Sequence, residues 1–98
     1  MELRYASSDL ERVCTDARLM QKRLGADVAK ALKLRLFDLR AAPDMELLLQ
    51  SRGRWEELQA DRAGQWSARL SANWRLIVEP DGDDVTVLIV EIVDYHGR

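Results

Sequence analysis

The chain has 98 residues, of which 47% are apolar and 33% charged, a composition typical of a soluble globular protein rather than of a disordered one. This length supports one domain with a two-layer core and leaves no room for a second core. No apolar run approaches the ~18–20 residues of a membrane span, and a single cysteine, Cys14, excludes an internal disulfide and a cysteine-based zinc site. We therefore expect a cytoplasmic protein with no metal and no membrane contact.

Charge is unevenly distributed along a chain whose formal net charge is −2 at pH 7. Residues 1–40 carry nine Lys and Arg against six Asp and Glu, whereas residues 41–98 carry six against eleven. Twelve of the fifteen basic residues are arginine, whose planar guanidinium group suits phosphate, but the codon bias of a GC-rich genome explains that preference equally well. The overall charge therefore neither supports nor excludes a nucleic-acid partner.

The first half of the chain predicts a short strand followed by helices. Alternating apolar residues favour a strand over the first six residues, and the polar side chains at positions 7–9 can cap a helix that begins near Leu10. Either Thr15 or Asp16 can cap a second helical segment, which ends at Gly25.

A longer helix is expected over residues 27–42, with Asp27 as its N-cap. Its apolar side chains follow the three- and four-residue spacing of a helix packed on a core, at Val28, Ala31, Leu32, Leu36 and Leu39. Its basic residues are interpreted as a solvent-exposed face, formed by Lys30, Lys33, Arg35 and Arg40. A short helix capped by Asp44 is expected over residues 45–50.

The second half of the chain changes to the period-two alternation of β-strands. Four strands are predicted, over residues 55–59, 65–71, 73–79 and 85–95. The last strand is apolar on both faces, which is typical of a central strand. Helices followed by antiparallel strands predict an α+β fold, with the N-terminal strand and the helices packed on one face of a twisted, mainly antiparallel sheet.

Composition and periodicity alone indicate little chemistry. The chain has no Gly-rich phosphate loop and no recognisable Ser-His-Asp arrangement. The only histidine, His96, follows Asp94 and Tyr95 directly after the most apolar strand, at a sheet rim where side chains can face a cleft. Histidine titrates near neutral pH and suits acid–base chemistry, although a lone histidine near a chain end is more often a surface residue.

The strand half carries two distinctive segments. Residues 64–76 read GQWSARLSANWRL, and residues 91–96 read EIVDYH. Together they resemble the HigB branch of the RelE/ParE toxin superfamily, in which a W-S-x-R-[LV]-S-x-N-W-R hairpin precedes a last strand ending in D-Y-H. Residues 58–62, LQADR, lie where these proteins usually carry L-K-G-D-R. The resemblance spans nearly the whole chain and implies one RelE/HigB-like toxin domain over residues 1–98, with a RelE-like fold.

The resemblance also implies a function. Proteins of this branch are toxins of type II toxin–antitoxin systems, which cut mRNA in the ribosomal A site and so inhibit translation without a metal or other cofactor. The implied partners are the ribosome, mRNA and a helix-turn-helix antitoxin of the HigA type. Contact with operator DNA would be indirect, through this antitoxin. In the reaction, a ribose 2′-hydroxyl attacks the adjacent phosphate, which requires a base, an acid and cations that stabilise the phosphorane.

The matching positions suggest which residues take these roles. His96 is the acid or base candidate, and Asp94, two residues away, would hold its imidazole. Tyr95 would stack on the nucleotide or hydrogen-bond it, and Arg69 and Arg75 of the hairpin would bind phosphate. We expect the imidazole, the Asp94 carboxylate and the two guanidinium groups to converge around one scissile linkage.

The arginines have structural alternatives. Arg62 is a further candidate phosphate contact, but it can instead pair with Asp61 or Glu57. Arg69 can likewise be an exposed strand residue that pairs with Asp61 or Glu79. The basic face of the long helix is most simply exposed to solvent, and the alternative is that it contacts the antitoxin or rRNA. The two tryptophans of the hairpin motif are interpreted as core packing rather than as RNA-stacking groups.

Two residues depart from the family pattern. Relatives commonly carry a histidine and a lysine in the strand before the hairpin, where this chain has Glu56 and Gln59. The missing lysine removes a phosphate-binding cation. A carboxylate can replace the histidine as base when burial raises its pKa, which makes Glu56 a candidate base ahead of Glu57, because period two points Glu57 the other way.

Three functions remain open at this point. The first is a ribosome-dependent mRNA endoribonuclease with an altered site. The second is a catalytically weakened toxin that serves mainly as an antitoxin-binding partner in operon autoregulation. The third is gyrase inhibition as in the ParE branch, which the D-Y-H ending makes less favoured.

Overall fold

The structure, a computed structural model, describes residues 1–95, so that the predicted acid or base, His96, lies outside the described residues. The helices are α1 (Ser8–Thr15), α2 (Ala17–Leu24), α3 (Ala26–Ala41) and α4 (Met45–Leu49). The strands are β1 (Glu2–Tyr5), β2 (Glu56–Glu57), β3 (Trp66–Arg69), β4 (Trp74–Pro80) and β5 (Thr86–Asp94). One 3₁₀ turn, Ala60–Arg62, lies between β2 and β3. No helix within residues 1–95 has the length and apolar character needed to cross a membrane.

The five strands form one sheet in the order β1-β5-β4-β3-β2. Strand β1 pairs parallel with β5, and the other neighbours are antiparallel. The predicted α+β fold is confirmed, and β5 occupies the interior position that its two apolar faces predict. The predicted strand over residues 55–59 is shorter than expected and covers only Glu56–Glu57, because the chain turns towards the 3₁₀ turn, which Gln59 caps and which begins at Ala60 with φ 59°.

Side-chain caps start three of the four helices. The Ser7 hydroxyl accepts from the Leu10 N–H at 3.1 Å, Asp16 caps α2, and Asp44 caps α4. The prediction of Asp27 as the N-cap of the long helix is wrong. Gly25, with φ 84°, ends α2 and precedes α3 directly, so α3 begins at Ala26 without a side-chain cap.

Helix residues and alternate strand residues share one apolar core. Its fully buried members include Leu32, Leu36 and Leu39 of α3, and Leu76, Val78, Val87 and Ile89 of the sheet. Trp66 and Trp74 pack half-buried against this core, which confirms that the hairpin tryptophans are packing residues. Because every second residue of β3 and β4 is committed to the core, the intervening residues are left to build the opposite face.

The outer face of α3 differs from its prediction at one residue. Lys30, Lys33 and Arg40 are exposed, as expected. The assignment of Arg35 to that exposed face is wrong, since only 11% of its side chain is exposed and its Nη1 lies 3.3 Å from Asp38 Oδ2. Helical periodicity did not reveal this, because an arginine is hidden from solvent here by pairing with a carboxylate one turn later.

Candidate active site

Five arginines line a cavity of about 540 Å³ where α3, the loop after α4 and strands β2 to β4 meet. The lining residues are Ala31, Leu34, Arg35, Arg52, Gly53, Arg54, Glu56, Ser67, Arg69 and Arg75. The five arginine charges and the single negative charge of Glu56 give the lining a formal charge of +4, in a chain whose net charge is −2. The positive charge is therefore concentrated in this concave surface, which favours an anionic ligand.

The β3–β4 hairpin places Arg69 and Arg75 on the same face of the sheet, directly opposite each other. Like charges in a cross-strand pair oppose folding, so the pair is costly unless an anion lies between the guanidinium groups. Arg69 is exposed and forms no ion pair within residues 1–95. One of the partners expected for it, Glu79, accepts a hydrogen bond from Gln65 at 3.0 Å.

Hydrogen bonds to the hairpin turn hold Arg75 in place. Its Nη1 donates to the carbonyl oxygens of Ser71 at 3.0 Å, Ala72 at 3.3 Å and Trp74 at 3.0 Å. One nitrogen of the guanidinium group therefore serves the turn, while the residue still lines the cavity. An arginine fixed in this way presents its charge to a ligand with little further loss of side-chain entropy.

Tyr95 lies beside Arg75. The guanidinium carbon is 5.5 Å from the centroid of the tyrosine ring, a distance at which cation–π attraction operates. The Tyr95 N–H donates to the Asn73 carbonyl at 2.9 Å, which ties the end of the last strand to the hairpin turn. The structure thus brings two of the predicted site residues together.

Asp94 does not share the face of the two hairpin arginines. It lies opposite Trp74 in the β4–β5 register, whereas Arg75 lies opposite Val93. Because successive side chains of a strand point to opposite faces, the Asp94 side chain leaves the sheet on the side of Trp74. Of the groups expected to converge, Arg69 and Arg75 line one cavity, whereas the Asp94 side chain lies on the other face of the sheet.

Glu56 is the carboxylate that does share the cavity. It pairs with Ser67, which is two residues before Arg69 on β3 and therefore on the same face. Glu56 is exposed, so the burial expected of a carboxylate base at this position is not present. Glu57 pairs with Trp66 and points the other way, as period two predicts, and its Oε2 accepts from the Gly64 N–H at 3.3 Å.

Three cavity arginines were not recognised from the sequence, namely Arg35, Arg52 and Arg54. Asp38, only 9% exposed, joins the first two, with Oδ2 3.3 Å from Arg35 Nη1 and Oδ1 3.2 Å from Arg52 Nη2. Arg54 adopts φ 50°, an uncommon conformation for a non-glycine residue and one found often at functional sites. The Arg-Gly-Arg sequence at positions 52–54, between a helix and a strand, is the sequence feature that could have indicated an anion-binding loop.

Gly53 is required by the close approach of its neighbours. A Cβ atom at this position would lie 2.5 Å from Trp55 Nε1 and 2.8 Å from Arg35 Nη1. No other residue type fits without moving one of these groups. The loop is therefore packed directly against the guanidinium group of α3 that lines the cavity.

Arg62 lies outside the cavity lining. Its Nη1 donates to Glu91 at 2.8 Å and its Nε donates to Gln65 at 2.7 Å. Gln65 in turn donates to Glu79 at 3.0 Å, so a chain of polar contacts fastens the segment before β3 onto the sheet. Arg62 takes a structural role here, with Glu91 as its partner instead of the expected Asp61 or Glu57.

Cys14 offers no nucleophile. It is buried in the core, and burial raises the pKa of its thiol to about 11, while the charge of Arg40 acts in the opposite direction. A neutral, buried thiol is a poor nucleophile at physiological pH. No group of three His, Cys, Asp or Glu side chains among the described residues is placed to hold a metal ion.

No protein-family model matches the chain, and no curated protein sequence matches it. Solved structures of bacterial toxins do match it. A YoeB/ParE toxin from Agrobacterium tumefaciens gives a TM-score of 0.68 at 20% identity, over 98% of this chain and 100% of that chain. A YoeB–YefM complex from Staphylococcus aureus gives 0.65 at 18% identity, over 98% and 97% of the two chains. A YafQ mutant from E. coli gives 0.62 at 19% identity, over 95% and 91%. At these identities the similarity shows the fold alone, and the chain has the fold of RelE/YoeB-like toxins.

Proposed function

We propose that this protein is the toxin of a type II toxin–antitoxin system and cuts ribosome-bound mRNA. The observation that carries the proposal is the cavity, in which five arginines and one carboxylate surround a concave surface. A strongly positive cavity on a chain of negative net charge suits a polyanion such as RNA. The fold shared with YoeB and YafQ and the HigB-like hairpin motif support the same function.

The cavity side chains suggest how the cations would act. Arg69 and Arg75 would hold the scissile phosphate between them, because an anion there relieves the repulsion of the cross-strand pair. Their charges would then stabilise the additional negative charge that develops on the phosphorane. Tyr95, already against Arg75, would provide an aromatic face for the adjacent base.

The same arrangement suggests a base. The Glu56 carboxylate, on the wall formed with Ser67 and Arg69, is exposed in the free protein, and RNA bound in the cavity would cover it. In that complex it would accept the proton of the attacking 2′-hydroxyl. Phosphorus–oxygen bond formation then produces a 2′,3′-cyclic phosphate, and the leaving 5′-oxygen takes a proton. His96 as the acid for this step, and Asp94 as its partner, remain predictions from the sequence motif.

The proposed partners are a HigA-type helix-turn-helix antitoxin, the ribosome and mRNA. The similarity to the toxin of a YoeB–YefM complex supports an antitoxin partner. Contact with operator DNA would be indirect, through the antitoxin, and the protein would act in the cytoplasm, where ribosomes are found. The assignment to the HigB branch rests on residues 64–76 and 91–96.

A second candidate function is a weakened toxin retained as an antitoxin-binding partner. Gln59, which stands where relatives carry lysine, is exposed at the start of the 3₁₀ turn and does not line the cavity. Asp94 leaves the sheet on the side away from Arg75. The cavity therefore lacks both the lysine and the aspartate that the family motif would place at the reacting phosphate. A cleavage assay separates an active nuclease from a weakened toxin.

The experiment is induced expression in bacteria without the antitoxin, followed by mapping of RNA ends. The nuclease proposal predicts arrested translation and transcripts cut within coding regions, with free 5′-hydroxyl ends. Glu56→Gln should reduce cleavage, whereas Glu57→Gln, on the opposite face, serves as the matched control. Normal growth with intact transcripts would favour the weakened toxin, and a DNA-damage response with intact mRNA would favour gyrase inhibition.

A further inference from the structure

The cavity contains a second, separately built group of cations on its helix side. Asp38 of α3 contacts Arg35 of the same helix and Arg52 of the loop after α4, at 3.3 and 3.2 Å. Arg69 and Arg75 belong instead to the β3–β4 hairpin on the sheet side. The two groups are thus held by different elements of the fold and line one cavity.

The Asp38 group is fixed before any ligand binds. The side chains of Asp38 and Arg35 are 9% and 11% exposed, while that of Arg52 is 60% exposed. A buried carboxylate between two guanidinium groups restricts their orientation and leaves the trio with a formal charge of +1. Gly53 adds to this restriction, because its backbone lies close to Arg35 Nη1.

The surroundings of this group are imperfectly satisfied. Trp55 Nε1 is buried and has no hydrogen-bond partner among residues 1–95, whereas Asp38 Oδ2, which also lacks a hydrogen bond, keeps its ion pair with Arg35 Nη1 at 3.3 Å. Trp55 is 6% exposed, and its Nε1 and Arg35 Nη1 both lie within 2.8 Å of the position that a Cβ atom on Gly53 would take. A buried N–H donor without an acceptor costs free energy, and an anion bound beside Arg35 would offer the Trp55 N–H such an acceptor.

We propose that Arg35 and Arg52 form a second phosphate subsite, which binds the phosphate adjacent to the scissile one in single-stranded RNA. The inference rests on the proposed function and deepens it. Asp38 is a positioning residue, since it acts by orienting the two arginines. The site then reads two consecutive phosphates, one from the hairpin and one from the helix side, and a productive substrate needs at least three nucleotides.

The test uses 2′-O-methyl oligonucleotides without terminal phosphates, which cannot be cleaved because the attacking hydroxyl is blocked. A dinucleotide presents one phosphate and a trinucleotide presents two. Binding to the full chain is followed by NMR titration of the arginine Nε–H resonances at several salt concentrations. The resonances of Arg35 and Arg52 should shift with the trinucleotide and not with the dinucleotide.

Single substitutions test whether Arg52 contributes to trinucleotide binding. Arg52→Ala should weaken trinucleotide binding on the order of tenfold and dinucleotide binding by much less, because only the trinucleotide places a phosphate against Arg52. It should also reduce the slope of log affinity against log salt by about 0.7, the value of one phosphate contact in a single strand. Arg18→Ala removes the same charge from an exposed position of α2 outside the cavity lining, and serves as the control.

Asp38→Asn should also abolish the preference for the trinucleotide over the dinucleotide. If this substitution of a buried carboxylate prevents folding, the Arg52→Ala variant still tests the proposal. Equal weakening of both oligonucleotides by Arg52→Ala, or no weakening of either, overturns the second subsite. If Arg69→Ala still weakens both oligonucleotides in that case, the proposed nuclease site stands without it. Absence of binding by the unmodified chain overturns both.

Discussion

At the scale of single residues, the cross-strand pair of Arg69 and Arg75 shows a conflict between folding and binding. The two side chains lie directly opposite each other on one face. Arg75 gains three carbonyl acceptors in the hairpin turn, whereas Arg69 is exposed and gains no counter-charge within residues 1–95. Such a pair is understandable as a site for an anion rather than as a contribution to stability.

Arg69→Ala should therefore leave stability unchanged or raise it by about 0.2–1 kcal/mol, while weakening RNA binding. Arg75→Ala should lower stability by about 1 kcal/mol, because the turn carbonyls lose their donor. Urea unfolding and RNA titration of both variants measure the two effects. A loss of more than 1 kcal/mol in the Arg69 variant would show that this side chain stabilises the fold.

Gly53 gives a second residue-scale prediction. Gly53→Ala should lower the free energy of unfolding by about 1–3 kcal/mol, because the new methyl group must displace Trp55 or Arg35. It should also change the tryptophan fluorescence of the folded protein. In Gly64→Ala the methyl group meets nothing within 4 Å, so only the strain of φ 93° is expected, without the fluorescence change. Identical effects of the two substitutions would contradict the packing described for Gly53.

At the scale of elements, local signals predicted most of the secondary structure. Ser7, Asp16 and Asp44 all cap helices, and period two located β3, β4 and β5. The failures have tertiary or backbone causes. Gly25 joins α2 to α3 without room for the expected cap, and Arg35 is largely shielded from solvent because it pairs with Asp38. Neither cause is visible in apolar periodicity.

Helix α1 carries a pH-dependent contribution to stability. Burial raises the pKa of Cys14 to about 11 in the folded state, whereas an unfolded thiol ionises near pH ~8.5. The unfolded chain therefore releases this proton first, and the free energy of unfolding falls as pH rises from about 9 towards 11. Urea unfolding across this range should show a steeper fall for the wild type than for Cys14→Ala, which shares all other titrations. Parallel curves would contradict this assignment.

The segment before β3 depends on Arg62. Arg62→Ala breaks the 2.8 Å contact with Glu91, and partial exposure of both side chains limits the expected loss of stability to about 0.5–1 kcal/mol. RNA binding should change little, because Arg62 does not line the cavity. Thermal unfolding and RNA titration of this variant, with Arg69→Ala measured in parallel, test the distinction. A larger loss of RNA affinity for the Arg62 variant than for the Arg69 variant would return Arg62 to the site.

At the scale of the whole molecule, folding converts an acidic chain into one with a strongly positive cavity. The sequence motif located Arg69, Arg75 and Glu56, which lie near one another on paired strands. It could not locate Arg35, Arg52 and Arg54, because they reach the cavity from α3 and from the following loop. Only the packing of α3 and this loop beside the sheet brings those charges together, and sequence spacing carries no record of that contact.

Tertiary pairing also decides that Asp94 lies on the face of the sheet opposite to Arg75. A strand motif shows that Asp94 and Tyr95 are neighbours, but the β4–β5 register decides which of them faces Arg75. That register includes an irregularity between Ile77 and Val78, which shifts every pairing beyond it. The face of each residue near the end of β5 therefore depends on a bulge that residue identity alone does not reveal.

The most direct measurement is the cleavage rate of a defined mRNA on purified translating ribosomes, with wild type, Arg69→Ala, Glu56→Gln and Arg18→Ala compared under single-turnover conditions. We expect cleavage by the wild type and by Arg18→Ala, and rates roughly tenfold to a hundredfold lower for the two cavity variants. Intact mRNA with the wild type, or undiminished cleavage by Arg69→Ala, would contradict the claim that the arginine-lined cavity is the site of RNA cleavage.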